Sequence, residues 1–375
     1  MTDIYFVRHA ESFGNLTRRV YGHFDGLVTP KGYMQIEKLQ ERFRDIKIDK
    51  VYSSDLARTC ETAKAIYEQK NLPLIRESAF REIGFGVWED MAWGEVFVNQ
   101  REAYDAWLSR PLEFSVSGSE TYENVYARAK SALDRIVSES DGQAVAIVSH
   151  GATIRMLMFG LKNGDDLTGV ESSDWGDNTC ISHFRAEGGK YTEVFSNCNE
   201  HLRSLAGFDE GMSWVREGGG RNVRFEKARY PEDIEKIKNY HSLGEGEVFG
   251  GECDLARIER NTKKLLKKDS ESIVFGCLGD EEIGMIELSV LQKVYPGAGH
   301  ISFVYLKPEY RRMRYGIQLI GHAMSRYKAA GKKHISVRVN ETNTAAYNFY
   351  KKYGFYEVFR ESDGGIVQRI MILDI

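Results

Sequence analysis

The sequence predicts an α/β protein of two domains. In the first half, the recurrent order strand–helix–strand–helix–strand–helix argues for a mainly parallel sheet with helices on both faces, a three-layer αβα arrangement. In the second half, strand-like runs at hairpin spacing argue for an antiparallel meander in an α+β unit. Between them stands Gly218-Gly219-Gly220, three consecutive glycines that mark a break. The expected boundaries are 1–206 for the first domain, 207–221 for a linker and 222–375 for the second domain, and a length of 375 residues suits that division.

The first element is the run Ile4-Tyr5-Phe6-Val7, aromatic and β-branched, which reads as a buried strand and ends in Arg8-His9. A strand ending in Arg-His delivers a guanidinium and an imidazole to the carboxyl edge of the sheet, where ligands of open α/β sheets bind. Thr29-Pro30 then opens a helix, with Thr as cap and Pro in the first turn, and Ile36, Leu39, Phe43 and Ile46 follow at helical spacing. Lys50–Ser53 is a second strand, and a helix starts after it with Ser54 or Asp55 expected as the cap. Arg58 falls in the first turn of that helix, beside free backbone N–H groups, which is an anion site in physical terms. The stretch Phe80–Glu89 is dense in aromatics and glycine, and Phe24, Phe85, Trp88 and Trp93 are expected to wall a pocket for an organic body. A helix near Thr121–Ser138 leads to Ala144–Ser149, a continuous apolar run expected to be a strand buried on both faces. It ends in His150-Gly151, with a helix after it over Thr153–Leu161. Two Arg, two His and one Glu thus converge on one edge of the sheet.

Composition narrows the partners. A net charge of −4 gives no global basic field for nucleic acid or an anionic membrane, and no apolar run approaches the ~18 residues that span a bilayer. No secretory signal precedes the first strand, and five scattered cysteines without a C-x-x-C pair suit a reducing, cytoplasmic setting with no disulfide framework and no metal site.

Four segments in order resemble the histidine phosphatase superfamily, in its phosphoglycerate-mutase-like branch, from Met1 to about Ala206. They are Arg8-His9-Ala10-Glu11-Ser12, Ser54-x-Leu56-x-Arg58, Arg81-Glu82-Ile83-x-Phe85-Gly86-x-Trp88-Glu89 and Ser149-His150-Gly151. The resemblance implies that His9 becomes a phosphohistidine, that Arg8, Arg58 and His150 bind the phosphoryl group with Asn15 nearby, and that Glu82 is first the general acid and then the base. Elementary chemistry agrees: the phosphoryl group in flight needs cations and donors around its oxygens, guanidinium forks match phosphate, a neutral imidazole is a nucleophile, and a carboxylate that cycles its proton calls for a pKa moved up by burial. Ala10 replaces the usual glycine, Ser119-Glu120-Thr121 stands where Gly-Glu-Ser is usual, and Glu61 where Gln is common. The short region between Glu82 and Glu120 favours a phosphatase over a mutase. No cofactor is implied for this half.

The second half restarts at Val223, with a helix after Tyr230-Pro231 and another around Asp254–Lys267. Strands are expected at Ser272–Leu278, Glu282–Leu291 and His300–Leu306, a helix over Ile317–Ala329, a strand at His334–Val339 and closing strands after Gly354-Phe355. A strand followed by a basic, glycine-bearing turn at a helix start is a pyrophosphate cradle in physical terms. Pro308-x-Tyr310-Arg311-x-x-Arg314-x-Gly316 and Asn343-x-x-Ala346-x-x-x-Tyr350-x-x-x-Gly354-Phe355 resemble the GNAT acetyltransferase family over about Val223–Ile375. The resemblance implies an α+β fold with a mixed, mostly antiparallel sheet and acetyl-CoA as cofactor. Its pyrophosphate would lie on Arg311, Arg312, Met313, Arg314 and Gly316, with Asn343 touching the cofactor and Tyr350 protonating the departing thiolate. Arg314 occupies the position of the first family glycine, and Glu287 is the candidate base.

The expected function is therefore a bifunctional enzyme, a phosphomonoester hydrolase followed by an N-acetyltransferase. Its partners are a small-molecule phosphomonoester and a small-molecule amine, and a homodimer is compatible with it. A phosphomutase in the first half, or a CoA-binding regulatory module in the second, are the alternatives.

Overall fold

The computed structural model describes residues 1–205, 222–249, 253–289, 294–363 and 365–375. The expected linker 207–221, with Gly218-Gly219-Gly220, lies outside the described residues, as do Leu291 at the end of an expected strand and residue 206 at the expected end of the first domain. The chain divides into two compact units, Met1–Met91 with Asn99–Gly219 and Ala92–Val98 with Gly220–Ile375.

The first unit is built on strands β1 (Thr2–Arg8), β2 (Lys50–Ser53), β3 (Leu74–Arg76), β4 (Ala144–Ser149), β5 (Ile181–Glu187) and β6 (Lys190–Cys198), in the spatial order β3-β2-β4-β1-β5-β6. The first four are parallel, while β5 and β6 add an antiparallel margin beside β1. That margin was not anticipated, because β6 alternates between exposed and half-buried residues and carries no continuous apolar run. β4 is buried at all six positions, as its sequence predicts. Val7, Val51, Ala146 and Val148 pack with Leu39 and Phe43 of helix α2 (Pro30–Phe43) and with Ala63 and Ile66 of α3 (Ala57–Lys70). Alternation along the strands turns Ile4, Phe6, Val145 and Ile147 to the opposite face, where they are equally buried.

Local chemistry sets the helix starts. Thr29 Oγ1 accepts from the Gly32 N–H at 3.0 Å ahead of Pro30, and Thr121 caps α6 (Tyr122–Ser138) through the Asn124 N–H. The cap of α3 is a correction: the residue is Leu56, with no side-chain hydrogen bond, and neither Ser54 nor Asp55 does that work. Asp55 instead holds Arg81 in a two-point ion pair, and Ser54 turns to His150.

The second unit carries the strands β7 (Arg224–Lys227), β8 (Ile273–Leu278), β9 (Glu281–Ser289), β10 (Ala298–Leu306), β11 (His334–Asn340), β12 (Tyr356–Asp363) and β13 (Ile366–Asp374), in the order β12-β13-β11-β10-β9-β8-β7. Only the β10–β11 pairing is parallel, so the sheet is mixed and mostly antiparallel. That parallel pairing stops at Ile301 opposite Val337, although both strands run on, and β10 bulges against β9 between Ile301 and Phe303. Ile237 and Tyr240 of the helix Ile234–Phe249 and Ile258 and Leu265 of the helix Leu255–Lys268 pack on Phe275, Met285 and Tyr305. Among the described residues no helix is long and apolar enough to cross a membrane.

Phe43 is fully buried in the core between α2, α3 and the sheet. Phe43→Ala is expected to destabilise the first unit by about 3–5 kcal/mol, the sum of lost transfer energy and a cavity, read as a lower urea midpoint at unchanged slope.

Candidate functional site

Strand register puts the site together. Arg8 pairs with Ser149 and Ser53 with Val148, so the three parallel strands end almost level. The next residue of each chain, His9, Ser54 and His150, therefore emerges side by side. The His9 N–H bonds the Ser149 carbonyl at 2.9 Å and the Ser54 N–H bonds that of Val148 at 3.0 Å, which fixes their height. The two imidazole centroids are 5.3 Å apart.

His9 Nδ1 lies 2.7 Å from the Ala10 carbonyl. A carbonyl only accepts, so Nδ1 carries the proton and Nε2 keeps the lone pair. Burial first, then the Arg58 and Arg8 guanidiniums, hold His9 well below the ordinary histidine range. His150 is held well below it too, by burial and then by Arg58 and His9. His150 Nε2 meets Ser54 Oγ at 2.7 Å, and its Nδ1 is buried without a hydrogen-bond partner.

Both arginines are buried and held by carbonyl groups. Arg58 donates to Gly22 O at 2.7 Å and Phe24 O at 3.1 Å, while its Nε has no partner. Arg8 donates to Gly176 O, and its Nε would lie 3.3 Å from a methyl group added at Gly151, so the glycine after His150 makes room for the guanidinium. Desolvation lowers the pKa of each.

Glu82 is buried against the start of α7 (Gly151–Lys162), accepting from the Ala152 N–H at 3.1 Å and the Thr153 N–H at 3.2 Å. Helix N-terminal N–H groups are a ready site for a carboxylate. Asn15 Oδ1 accepts from the Ser12 N–H at 3.0 Å inside the short helix Phe13–Thr17. Arg8, His9, Arg58, Glu82 and His150 are thus brought together, with Asn15 beside them through Asn178, whose amide reaches both the His9 carbonyl and Asn15.

Arg128 was missed in the sequence, and the supporting roles of Glu120 and Glu89 were not assigned there. Arg128 of α6 uses all five of its N–H donors, on Ala79 O, Arg81 O, Glu82 O and both oxygens of Glu120. An arginine on the same helical face as Val125 and Ala132 was the available signal. Burial works against ionising Glu120, yet hydrogen bonds from His23, Arg128 and the Gly84 N–H hold its carboxyl at about 2. Glu89 accepts from the N–H groups of Gly22, His23, Phe24 and Phe85 within 3.2 Å, which pins the loop whose carbonyls hold Arg58.

The expected aromatic pocket walls need correction. Trp88 is fully buried and Phe85 nearly so, and they pack with Phe114 and Tyr122 as core. Their rings fill space because four aromatics meet there, which residue type alone does not reveal. Trp93 is buried as well and belongs to the second unit.

In the second unit, Arg312 and Arg314 adopt left-handed backbone (φ 64° and 66°), the conformation glycine usually supplies, directly before the helix α10 (Tyr315–Ala329). Met313 and Arg312 are exposed there, and a methyl group at Gly316 would press on Phe349 at 3.2 Å. Arg311 stands apart from this turn in its chemistry, because its guanidinium is held by both Glu247 oxygens at 2.9 Å and by Leu306 O. Asn343 Oδ1 caps the helix Thr344–Lys352 on the Ala346 N–H. Tyr350 is buried between Phe349 and Phe355, and burial pushes its hydroxyl pKa up. Glu287 lies next to the β10 bulge, accepting from Ser302 Oγ at 2.6 Å, with His241 Nε2 3.4 Å away and the His241 ring stacked on Phe303.

Residues 4–199 match the model of the histidine phosphatase superfamily (branch 1), and residues 235–355 match that of the acetyltransferase (GNAT) family. The chain is 31% identical over 205 residues to a putative phosphoserine phosphatase 2 of Hydrogenobacter thermophilus, covering 55% of this chain and 100% of that one. It is 33% identical over 221 residues to phosphoglycerate mutase-like protein 4 of Arabidopsis thaliana, covering 58% of this chain and 94% of that one. Among solved structures it resembles Bacillus stearothermophilus YhfR, with TM-score 0.52 and 27% identity over 54% of this chain and 100% of that one.

Because burial and two cations depress His9 and His150, both rings should stay neutral, and in NMR neither should titrate between about pH 8 and about pH 6. The unfolded chain binds those protons and the folded one does not. Stability is therefore complete above the unfolded value of 6.5 and should be lost as pH falls below it, seen as a declining Tm that is shallower in His150→Asn.

Proposed function

We propose, for a chain that belongs to the histidine phosphatase superfamily and carries a GNAT-family domain after it, that the first domain hydrolyses a small phosphomonoester through His9 and the second acetylates a small amine. The observation that carries the first reading is the tautomer of His9: Nδ1–H on the Ala10 carbonyl leaves Nε2 as a neutral nucleophile among Arg8, Arg58 and His150.

In this mechanism the phosphoryl oxygens lie against Arg8, Arg58 and His150, with Asn15 at the margin. With the Ser54 proton directed to His150 Nε2, His150 Nδ1–H donates to phosphate. His9 Nε2 attacks phosphorus as the P–O bond to the leaving group breaks, and Glu82 supplies the proton that the alkoxide takes. Water then gives its proton to Glu82 and attacks phosphorus, the P–N bond breaks, and phosphate leaves. The relatives named phosphoserine phosphatase support the reading of a phosphorylated small metabolite as substrate. The cytoplasm is the compartment that holds such substrates.

In the second domain the left-handed turn at Arg312–Arg314 and the N-terminus of α10 fit the pyrophosphate of acetyl-CoA, which when bound supplies an activated acetyl thioester. Gly316 follows that turn in the first turn of α10, Asn343 would touch the cofactor from the start of the helix Thr344–Lys352, and Arg311 is held by Glu247. Tyr350 holds a proton on its hydroxyl for the thiolate side. Glu287, backed by His241, takes the amine proton at the point where β10 leaves β11.

His9→Ala should reduce phosphate release from a metabolite panel by about 10³-fold or more, and the parent enzyme quenched during turnover should carry an acid-labile phosphohistidine. Isomeric phosphate formed without free phosphate would instead assign a mutase. With acetyl-CoA and an amine panel, Tyr350→Phe should lower acetyl transfer by about 10²-fold. Equal transfer in the variant, or none in the parent, would favour a CoA-responsive regulatory module.

A further inference from the structure

Three polar groups of the second unit lie level on one face of its sheet. Glu287 of β9 stands opposite Phe303 of β10. The β10–β11 register, which ends at Ile301 opposite Val337, brings Arg338 of β11 to the same height. Alternation along β11 buries Val337 and Val339 on one face and turns Ser336 and Arg338 to the other. The His300 ring of β10 shares that second face, because its Nδ1 meets Ser336 Oγ at 3.2 Å. Burial and then Arg338 hold His300 at about 4, while the Ser336 carbonyl and Glu287 oppose them. His300 therefore stands between a carboxylate on one neighbouring strand and a guanidinium on the other.

The His300 ring is 3% exposed, and its Nδ1 lies 3.1 Å from the Ser336 carbonyl. A carbonyl only accepts, so Nδ1 carries the proton and Nε2 keeps the lone pair. The face thus offers two acceptors, Glu287 and His300 Nε2, and one cation, Arg338. β9 and β11 are two strand spacings apart, about 10 Å. A hydrogen bond of about 2.9 Å at each end leaves room for only a few atoms between them. A molecule with an ammonium and a carboxylate one or two carbons apart fits that span. The three N–H donors of the ammonium suit the acceptors, and the carboxylate suits the guanidinium fork.

Arg338 also pairs with Glu361 at 3.1 Å, where the two side chains are 35% and 39% exposed. A pair as open as this contributes about 0–1 kcal/mol, so it aims the guanidinium without committing it. Acetyl transfer in the reading above takes place where the β10–β11 pairing ends, which is the height of these three groups. We propose that Glu287, His300 and Arg338 form the acceptor subsite of the second domain, and that the amine acetylated there belongs to a short aminocarboxylate, an α- or β-amino acid. Arg338 is then the residue that sets specificity. This rests on the acetyltransferase reading of Glu287 and Tyr350.

The test uses the full-length protein and a panel of α- and β-amino acids, each paired with the amine that lacks only the carboxylate, such as lysine with cadaverine and β-alanine with ethylamine. With acetyl-CoA, the parent should favour the amino acid of its best pair by about tenfold or more in kcat/KM, and Arg338→Gln should cut that preference about tenfold, chiefly through KM. Arg338→Lys, which keeps the charge and loses the fork, should restore part of it. Without acetyl-CoA, the calorimetric Kd of the same amino acid should rise about tenfold in Arg338→Gln. A parent that prefers the carboxylate-free amines, or a preference and Kd unchanged in Arg338→Gln, overturns the subsite and leaves Arg338 and Glu361 as a solvated ion pair. Amino-acid binding that weakens in Arg338→Gln while the parent acetylates nothing would keep the subsite and defeat the acetyltransferase reading instead.

Discussion

Two guanidinium groups buried beside two imidazoles are the constraint on which the first unit depends. Arg8 and Arg58 repel each other and have lost their water, and the Arg58 ion pair to Asp25 is long, at 3.9 Å. They are held by main-chain carbonyls, those of Gly22 and Phe24 for Arg58 and that of Gly176 for Arg8. A carbonyl stabilises a cation without cancelling its charge, so the positive field persists where a phosphoryl group would enter. Burial first, and then the same field, keep His9 and His150 neutral, the form in which an imidazole is a nucleophile.

That arrangement is only as precise as the loops that carry the carbonyls. Glu89 gathers four backbone N–H groups and so sets the loop Gly22–Phe24. A methyl group at Gly22 would fall 2.3 Å from the Ile83 carbonyl, which shows how closely the two loops approach. Arg128 and Glu120 do the equivalent work for the chain at Glu82. These side chains touch no substrate in the mechanism, and they position the ones that do.

In the second unit the proposed anion cradle is backbone: two left-handed residues ahead of a helix, with Arg314 where the resemblance to the GNAT family leads one to expect glycine. The left-handed conformation of Arg314 is what a glycine would have supplied at lower cost, so the departure in sequence leaves the local chain path in place. The pairing of β10 with β11 ends at Ile301, and Glu287, with His241 at 3.4 Å, lies on β9 opposite Phe303 of β10.

Much of this was legible in one dimension. The chain order of strands and helices, the buried β4, the Thr29, Thr121 and Asp254 helix starts, and the group Arg8, His9, Arg58, Glu82 and His150 all follow from local pattern, because Arg8, His9, Arg58 and His150 each sit within one or two positions of a strand end or a helix start and Glu82 lies in the motif that follows Phe80. The antiparallel margin of β5 and β6, the Leu56 cap and the core role of Trp88 were not legible, since an edge strand lacks an apolar run and a tryptophan reads alike in a wall or a core. The sequence by itself determined which groups are brought to one edge of the sheet and where along the chain they stand. Only the tertiary structure decided what holds them: Ser54 on His150, Arg128 on the Glu82 loop, Glu89 on the loop at Gly22. The physical reason is that such bonds join residues 46 to 96 positions apart, and one serine, arginine or glutamate is indistinguishable from another until folding chooses its partner.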